Sequence, residues 1–322
     1  MTILPIKVAC WDYDRTRPLI DGRVQAKDIA LEIKLMRPQQ AFQALLQRSD
    51  FHVAEMSLAT YVTLKARNEC PFVGIPVMLS KMFRHSCIYV RRDAGIHTPA
   101  DLKGKRVGIT QFSSTGIVFM KGMLQHDYGV SQSELEWWLG GLHAPVQPPA
   151  TLPSAPGVRV NAVPGDKTIE DMLKAGQLDA ILSNHIPAAF EQGLPGIVRL
   201  FPDFKKTEQD YYRRTGIFPI MHTVVMRDDV HREHPWVAAA LYRAFCDARD
   251  LAVNGLYDTD ALRLSLPWLI DHVEETRRIF GTDSFAYGIE PNRAALTAIG
   301  QYLHEQGAAP RAVAPDELFV PV

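Results

Sequence analysis

Short apolar runs and amphipathic stretches follow one another along most of the chain. Residues 6–11 (IKVACW) form an apolar run typical of a buried strand, and in residues 31–35 Leu and Ile alternate with Glu and Lys, as in a strand with one wet face. Pro38 is placed to begin a helix, since its fixed φ suits the first helical turn. A further strand is predicted at 51–55, with a helix near 57–67.

The same pattern returns farther along the chain. Residues 105–110 (KRVGIT) are a predicted strand before a helix, residues 168–177 a predicted helix, and residues 178–183 a predicted strand. Such alternation favours an α/β fold with mostly parallel sheets. Beyond about residue 229 the pattern predicts helices and no strand; the helices are expected near 235–254, 268–280 and 291–306.

One segment has no regular period at all. Residues 143–157 (HAPVQPPATLPSAPG) hold closely spaced prolines, which remove hydrogen-bond donors and break helices and strands. We expect a surface loop or a flap there.

Composition narrows the class of protein. The chain has 322 residues, with 35 Lys and Arg against 36 Asp and Glu, so its net charge is −1 and no basic surface for nucleic acid is expected. The length suggests two domains or lobes. The N-terminus lacks the features of a signal peptide, and no apolar window is long enough to span a membrane, so we expect a soluble, cytoplasmic protein.

Neither a metal site nor a disulfide framework is expected. The four cysteines form no CxxC pair, and His231 and His234 lack an evident third ligand, so a solvated turn is the favoured interpretation of that His pair. Walker A, GxGxxG and GxSxG sequences are also absent from the chain.

Candidate ligand-binding residues follow the predicted strands. In open α/β sheets, ligands bind beyond the carboxyl ends of the strands. These ends are polar, aromatic and mixed in charge, as a pocket for a small polar aromatic molecule would be. They comprise Trp11, Asp12, Tyr13, Asp14 and Arg15; Glu55, Met56 and Ser57; Gln111, Phe112, Ser113, Ser114 and Thr115; and Asn184 and His185.

The segment QFSSTG carries the clearest physical signal. Ser113, Ser114 and Thr115 lie where a helix is predicted to begin, so backbone N–H groups, hydroxyls and the helix dipole could converge on a carboxylate or phosphate. A hydroxyl that simply caps the helix is the alternative, and both roles can coexist.

Two predicted strands carry an ionisable group near their start. Residues 83–93 begin with Arg84 and His85, and residues 217–229 include His222. A strand histidine is more often a hydrogen-bonded structural residue than a catalyst. Two such histidines strengthen the case for a catalytic site only if their strands are neighbours.

Several of these segments also resemble known families. Residues 97–109 (HTPADLKGKRVGI) resemble the entry to the second lobe of type 2 periplasmic solute-binding proteins. More specific segments resemble the 4,5-dihydroxyphthalate decarboxylase family, and the likeness covers most of residues 6–300. They are WDYDRTRPLIDG (11–22), AEMSLATY (54–61), MFRHSCIYVR (82–91), WWLGGL (137–142) and GIFPIMHTVV (216–225).

The resemblance implies a two-lobed fold of the type 2 periplasmic-binding-protein kind, with a ligand cleft between the lobes. Residues 1–88 and 226–322 would form the first lobe and residues 89–225 the second, joined by crossover strands at 86–92 and 220–227. The resemblance also implies that Arg84, His85 and His222 meet at the floor of the cleft.

The activity implied is the non-oxidative decarboxylation of 4,5-dihydroxyphthalate to 3,4-dihydroxybenzoate and CO2 by ring protonation. His85 and His222 would handle protons, and Glu55 would orient one of them or accept the phenolic proton. No organic cofactor is expected. The residues expected to bind the substrate are Arg15, Arg84, Trp11, Ser113, Ser114, Thr115, Asn184 and His185.

Other functions stay open at this point. A binding protein for a small aromatic carboxylate would share the anion-binding residues but perform no chemistry, and a pyrimidine or thiamine-precursor protein could use the same scaffold. The expected lack of a signal peptide favours the enzyme, since a transport receptor of this fold is normally exported. The helical C-terminal third offers surface for a homo-oligomer, whose existence the sequence does not decide.

Overall fold

The structure, a computed structural model, describes residues 3–47 and 51–322. Strands and helices alternate as the sequence predicts. The strands are β1 (Leu4–Cys10), β2 (Ile29–Leu35), β3 (Val53–Ser57), β4 (Phe72–Lys81), β5 (Ile88–Arg91), β6 (Arg106–Ile109), β7 (Glu136–Leu139), β8 (Arg159–Ala162), β9 (Ala180–Leu182), β10 (Ile197–Arg199) and β11 (Ile220–Arg227). The helices are α1 (Arg17–Ile20), α2 (Pro38–Leu46), α3 (Leu58–Ala66), α4 (Thr115–Tyr128), α5 (Ile169–Lys174), α6 (Ala188–Glu191), α7 (Phe204–Thr215), α8 (Asp228–Glu233), α9 (Trp236–Asn254), α10 (Leu269–Phe280) and α11 (Arg293–Glu305).

The chain divides into two compact units, each built from separate stretches of sequence. The first comprises residues 1–81, 220–296 and 313–322, and the second residues 82–219 and 297–312. The boundaries expected from the resemblance, at 88/89 and 225/226, fall several residues later. Residues 297–312 also differ from the expectation, because they belong to the second unit. The ligand cleft stays a prediction.

The first unit contains a five-stranded sheet in the order β2-β1-β3-β11-β4. β1 pairs in parallel with β2 and β3, whereas β11 runs antiparallel to both β3 and β4. All five residues of β3 are buried, which is typical of a strand covered on both faces. A strand from late in the chain therefore lies between two from its beginning.

The second unit contains a six-stranded sheet in the order β10-β5-β9-β6-β7-β8. β6 pairs in parallel with β7 and β9, and β5 runs antiparallel to its neighbours. Trp137 on β7 is fully buried in a core that includes Phe112 and Met120. The first ten residues of α4 are all buried, and most of them are apolar or glycine; Lys121 is the charged residue among them.

Most elements predicted from the sequence are confirmed, including the α/β fold and the three C-terminal helices. Residues 143–157 form no helix or strand, as predicted. The predicted strand over 83–93 was too long: residues 85–87 form a 3-10 turn, and only 88–91 are extended. Since β5 and β11 lie in different sheets, the two strands with histidines are not neighbours.

Within the described ranges, none of the helices combines the length and the apolar character needed to cross a membrane.

Candidate functional site

Glu55 is a carboxylate held in the centre of the first sheet. Its side chain has no solvent exposure. Buried carboxylates need hydrogen-bond partners: the Trp11 backbone N–H donates to Glu55 Oε2 at 3.1 Å, and the Tyr13 hydroxyl donates to Oε1 at 2.6 Å. His222 Nδ1 also forms a hydrogen bond with Oε1, at 2.6 Å. The network accounts for a charge at this depth.

His222 lies on β11 diagonally across from Glu55. In the register of the antiparallel pair, His222 is opposite Ser57 and Val224 is opposite Glu55, so the two side chains share one face. The Nδ1–Oε1 distance is 2.6 Å, and about a fifth of the His222 side chain is exposed. The pair thus combines a buried carboxylate with an imidazole that reaches solvent, which is an arrangement suited to proton transfer.

The turn after β1 presents Tyr13 and Trp11 to Glu55. Thr16 is fully buried, and its hydroxyl donates to the Trp11 carbonyl and accepts the Tyr13 N–H, both at 2.9 Å. Tyr13 was among the residues following the first predicted strand but was not predicted to be in the site. Spacing alone gives no sign of its contact with Glu55, which lies 42 positions away.

Arg15, predicted to bind a carboxylate, is held by its own unit. Its Nε donates to the Leu79 carbonyl at 2.7 Å, and its Nη1 lies 3.0 Å from an Asp14 carboxylate oxygen. The guanidinium lies over the Tyr13 ring at 4.1 Å and the Phe285 ring at 4.4 Å. These contacts indicate that Arg15 supports Tyr13.

The N-terminus of α4 in the second unit brings together several predicted anion-binding residues. Ser114 is the N-cap residue, but its hydroxyl makes no capping hydrogen bond to the helix. It instead accepts a hydrogen bond from Asn184 Nδ2 at 3.2 Å. Of the three hydroxyls that could cap the helix, that of Ser114 does not. Ser113 beside it is exposed and Thr115 is buried. Backbone N–H groups at this end lack the Ser114 side chain as an acceptor.

Gly116 allows Arg84 and Asn184 to approach this helix end. A Cβ at position 116 would lie 2.0 Å from Asn184 Oδ1 and 3.2 Å from Arg84 Nε. Asn184 Oδ1 is buried and accepts no hydrogen bond from the described residues. Arg84 is buried, with Nη1 3.7 Å from the Cys87 sulfur. The sequence motif STG thus matters for its glycine as well as for its hydroxyls.

His85 points into different surroundings from its neighbour Arg84. Its ring is 1% exposed and packs edge-on against Phe201 and Tyr211, with centroids 5.2 and 5.1 Å away. Neither ring nitrogen has a hydrogen-bond partner among the described residues, and burial lowers the pKa of His85 to about 4. This position does not support the predicted role as a proton handler.

The remaining predicted residues are less engaged. The side chain of His185 is exposed, and its backbone N–H donates to the Ser183 hydroxyl at 3.0 Å. The ring of Trp11 lies 5.2 Å from the Arg37 guanidinium. No cluster of three or more His, Cys, Asp or Glu side chains within 3–47 and 51–322 is arranged to hold a metal ion.

Comparisons with solved structures show the fold. The periplasmic aliphatic sulphonate binding protein from Escherichia coli aligns with a TM-score of 0.54 at 14% identity, covering 98% of this chain and 92% of that one. The alkanesulfonate-binding protein from Xanthomonas axonopodis pv. citri, bound to MOPS, aligns with a TM-score of 0.51 at 12% identity, covering 99% and 98%. The expected periplasmic-binding-protein-like fold is confirmed.

Sequence comparisons show the family. A family model described as "ABC transporter, phosphonate, periplasmic substrate-binding protein" matches residues 13–144. A 4,5-dihydroxyphthalate decarboxylase from Pseudomonas putida is 34% identical over 214 residues, which is 66% of this chain and 83% of the relative. One from Comamonas testosteroni is 35% identical over 322 residues, covering 100% of this chain and 98% of the relative. Because that likeness extends over both units, the chain belongs to the 4,5-dihydroxyphthalate decarboxylase family.

Proposed function

We propose that the protein is a carboxy-lyase that converts 4,5-dihydroxyphthalate to 3,4-dihydroxybenzoate and CO2. The observation that carries the proposal is the hydrogen bond between buried Glu55 and partly exposed His222 in a member of this family. A receptor needs donors for its ligand's carboxylates, but it has no need of a buried acid that orients an imidazole.

The chemistry requires a proton at a ring carbon. An aryl carbanion is too unstable to form directly. The ring carbon that bears the departing carboxylate is therefore protonated first, while the para hydroxyl supplies electrons to the ring. The C–C bond then breaks, its electron pair returns to the ring, and CO2 leaves. The net reaction consumes one proton, which an acid–base group must deliver.

His222 is suited to deliver that proton. Glu55 engages Nδ1, so Nε2 is the nitrogen left to exchange a proton with a substrate. The carboxylate also stabilises the imidazolium that forms when His222 is charged. Of the two roles expected for Glu55, this contact favours the orientation of a histidine.

The N-terminus of α4 supports carboxylate binding by the second unit. Arg84 can offer a bidentate fork, and the helix end supplies N–H donors and the positive end of its dipole. Exchanging Arg84 for Lys should raise KM, because the planar fork is lost while the charge is kept. An unchanged KM would argue against anchoring by Arg84.

The test is direct. Purified protein is incubated with 4,5-dihydroxyphthalate, and CO2 and 3,4-dihydroxybenzoate are measured. We expect turnover in the wild type, and we expect kcat to fall by about 10²-fold or more in His222→Gln. His272→Gln is the matched control, because His272 is an exposed histidine on α10. Tight binding without turnover in the wild type would favour the binding-protein alternative.

A further inference from the structure

The Tyr13 hydroxyl and the His222 imidazole bind the same carboxylate oxygen. Both contact Glu55 Oε1 at 2.6 Å. Burial, followed by the charge of Glu55, raises the pKa of Tyr13 well above its ordinary value, so its phenol stays protonated and donates. The Trp11 N–H holds the other oxygen, Oε2. Trp11 and Tyr13 therefore hold both carboxylate oxygens of Glu55 without any contribution from His222.

We propose that Tyr13 is a positioning residue for proton transfer by His222. Its hydroxyl fixes the Glu55 carboxylate so that His222 is held with Nδ1 protonated, and Nε2 is the nitrogen that exchanges a proton. Tyr13 acts through Glu55 and does not touch the reacting atoms. The inference that this positioning serves decarboxylation rests on the proposed function.

The surroundings of Tyr13 hold its ring firmly in place. Its backbone N–H is bound by the buried Thr16 hydroxyl, and the Arg15 guanidinium lies 4.1 Å from the ring centre. Arg15 is in turn fixed to the Leu79 carbonyl. A side chain held at the backbone and on its face loses little further freedom when its hydroxyl binds a partner.

The charged and titratable groups around Glu55 come from three elements. Tyr13 approaches from the turn after β1, His222 from β11, and Cys10 from the end of β1, where burial and the charge of Glu55 raise the thiol pKa to about 12. Arg15 acts on the Tyr13 ring. Cys10 therefore stays neutral at ordinary pH, and His222 is the partner of Glu55 that reaches solvent.

Tyr13→Phe keeps the ring and removes only the donor. With one donor lost, more negative charge on Oε1 faces the imidazole and favours its protonated form. We expect kcat to fall about tenfold or more, with KM changed less than about twofold, and the pH profile of kcat to move to higher pH. Tyr257→Phe is the matched control, because the Tyr257 hydroxyl donates to Glu274 at 2.7 Å on an exposed surface. Equal effects in the two variants would overturn the proposal.

A second measurement needs no turnover. In ¹⁵N-histidine NMR, with His222 assigned by its absence in His222→Gln, the neutral wild-type ring should carry its proton on Nδ1, and its titration should move to higher pH in Tyr13→Phe. A proton on Nε2, or the same titration in both proteins, overturns the positioning role. If the wild type releases no CO2 but the NMR result holds, the proposed function fails and the role of Tyr13 in holding the pair survives. If Tyr13→Phe does not fold, the wild-type tautomer still tests the premise that Glu55 holds His222 with Nδ1 protonated, and a proton on Nε2 overturns the proposal.

Discussion

At the scale of single residues, Glu55 shows how a buried acid differs from a surface acid. It lies in a strand with no exposed position, where an uncompensated charge would be costly. Trp11, Tyr13 and His222 form hydrogen bonds with its two oxygens, and the histidine reaches solvent. A purely structural site could be filled by an apolar residue, so a buried carboxylate at this position fits the chemical role that we propose for it.

Replacing Glu55 by Gln tests that task. The amide keeps the volume but cannot accept hydrogen bonds at both of its polar atoms or stabilise an imidazolium. We expect kcat from CO2 release to fall about 10²-fold or more. Glu274→Gln removes a partly buried carboxylate that binds the Tyr257 hydroxyl, and it should leave kcat unchanged. Wild-type turnover in a folded Glu55→Gln protein would contradict the assignment.

At the scale of elements, α4 contributes both a helix end and a tightly packed body. Its N-cap serine is bound by Asn184 instead of the helix, and its second residue is a glycine. Gly122 lies seven residues after Thr115, the first residue of α4, and faces the ring of Tyr302 on α11. A Cβ at position 122 would lie 2.1 Å from that ring. One helix thus uses two glycines for two different kinds of close approach.

Gly116→Ala should weaken ligand binding more than it weakens the fold. The added Cβ would displace Asn184 Oδ1, the end of a side chain that can move. We expect a higher KM, or weaker binding of 4,5-dihydroxyphthalate by calorimetry, with a small change in Tm. The control is Gly165→Ala, whose nearest atoms belong to the Gln147 side chain at 3.1 Å or more. Equal KM values in wild type and Gly116→Ala would contradict the proposal that the N-terminus of α4 binds the substrate.

Gly122→Ala should have the opposite balance. Tyr302 is buried and its ring stacks on His126 with centroids 5.0 Å apart, so the ring has little room to retreat. We expect a loss of about 1–3 kcal/mol in the free energy of unfolding, measured by urea denaturation. In a Tyr302→Leu background, where the ring is absent, Gly122→Ala should lower the free energy of unfolding by less than it does in the wild type. A Gly122→Ala protein as stable as wild type would show that the contact yields.

At the scale of the whole molecule, two buried ionisable groups couple stability to pH. His85 Nδ1 lies 4.0 Å from Glu208 Oε1. Burial lowers the pKa of His85 to about 4 and raises the pKa of Glu208 to about 7, so burial favours the neutral form of each. The His85 contribution to stability is present above its unfolded pKa of 6.5 and is lost as pH falls toward 4. The Glu208 contribution is present below 4.5 and is lost as pH rises toward 7.

His85→Phe separates the two effects. Phenylalanine fills the aromatic surroundings and cannot titrate, so the variant should gain stability relative to wild type as pH falls from 6.5 to 4. The maximum gain is about 3 kcal/mol, from the size of the pKa change. Urea denaturation at several pH values measures it, with exposed His272→Gln as the control. A stability difference independent of pH would contradict burial of a neutral His85.

The sequence predicts the elements better than it predicts the contacts between them. The periods of α9, α10 and α11 and the apolar runs of β1 and β3 are local, so they identify those elements directly. The direction of His85 could not be predicted from strand alternation, because residues 85–87 form a 3-10 turn where a strand was expected. The contact between Tyr13 and Glu55 depends on which strands pair, which no window of the sequence contains.

The position of β11 has a consequence for biosynthesis. Glu55 and His222 are 167 residues apart, and β11, which carries His222, fills the space between β3 and β4 in the first sheet. When the first hundred residues have been synthesised, β1 to β4 exist without the strand that separates β3 from β4, and Glu55 lacks its imidazole partner. Residues 82–219 of the second unit must be synthesised before β11 can complete the first sheet. The strand that completes the first sheet therefore also brings His222 to Glu55, so the two groups proposed to transfer a proton meet only when that sheet is complete.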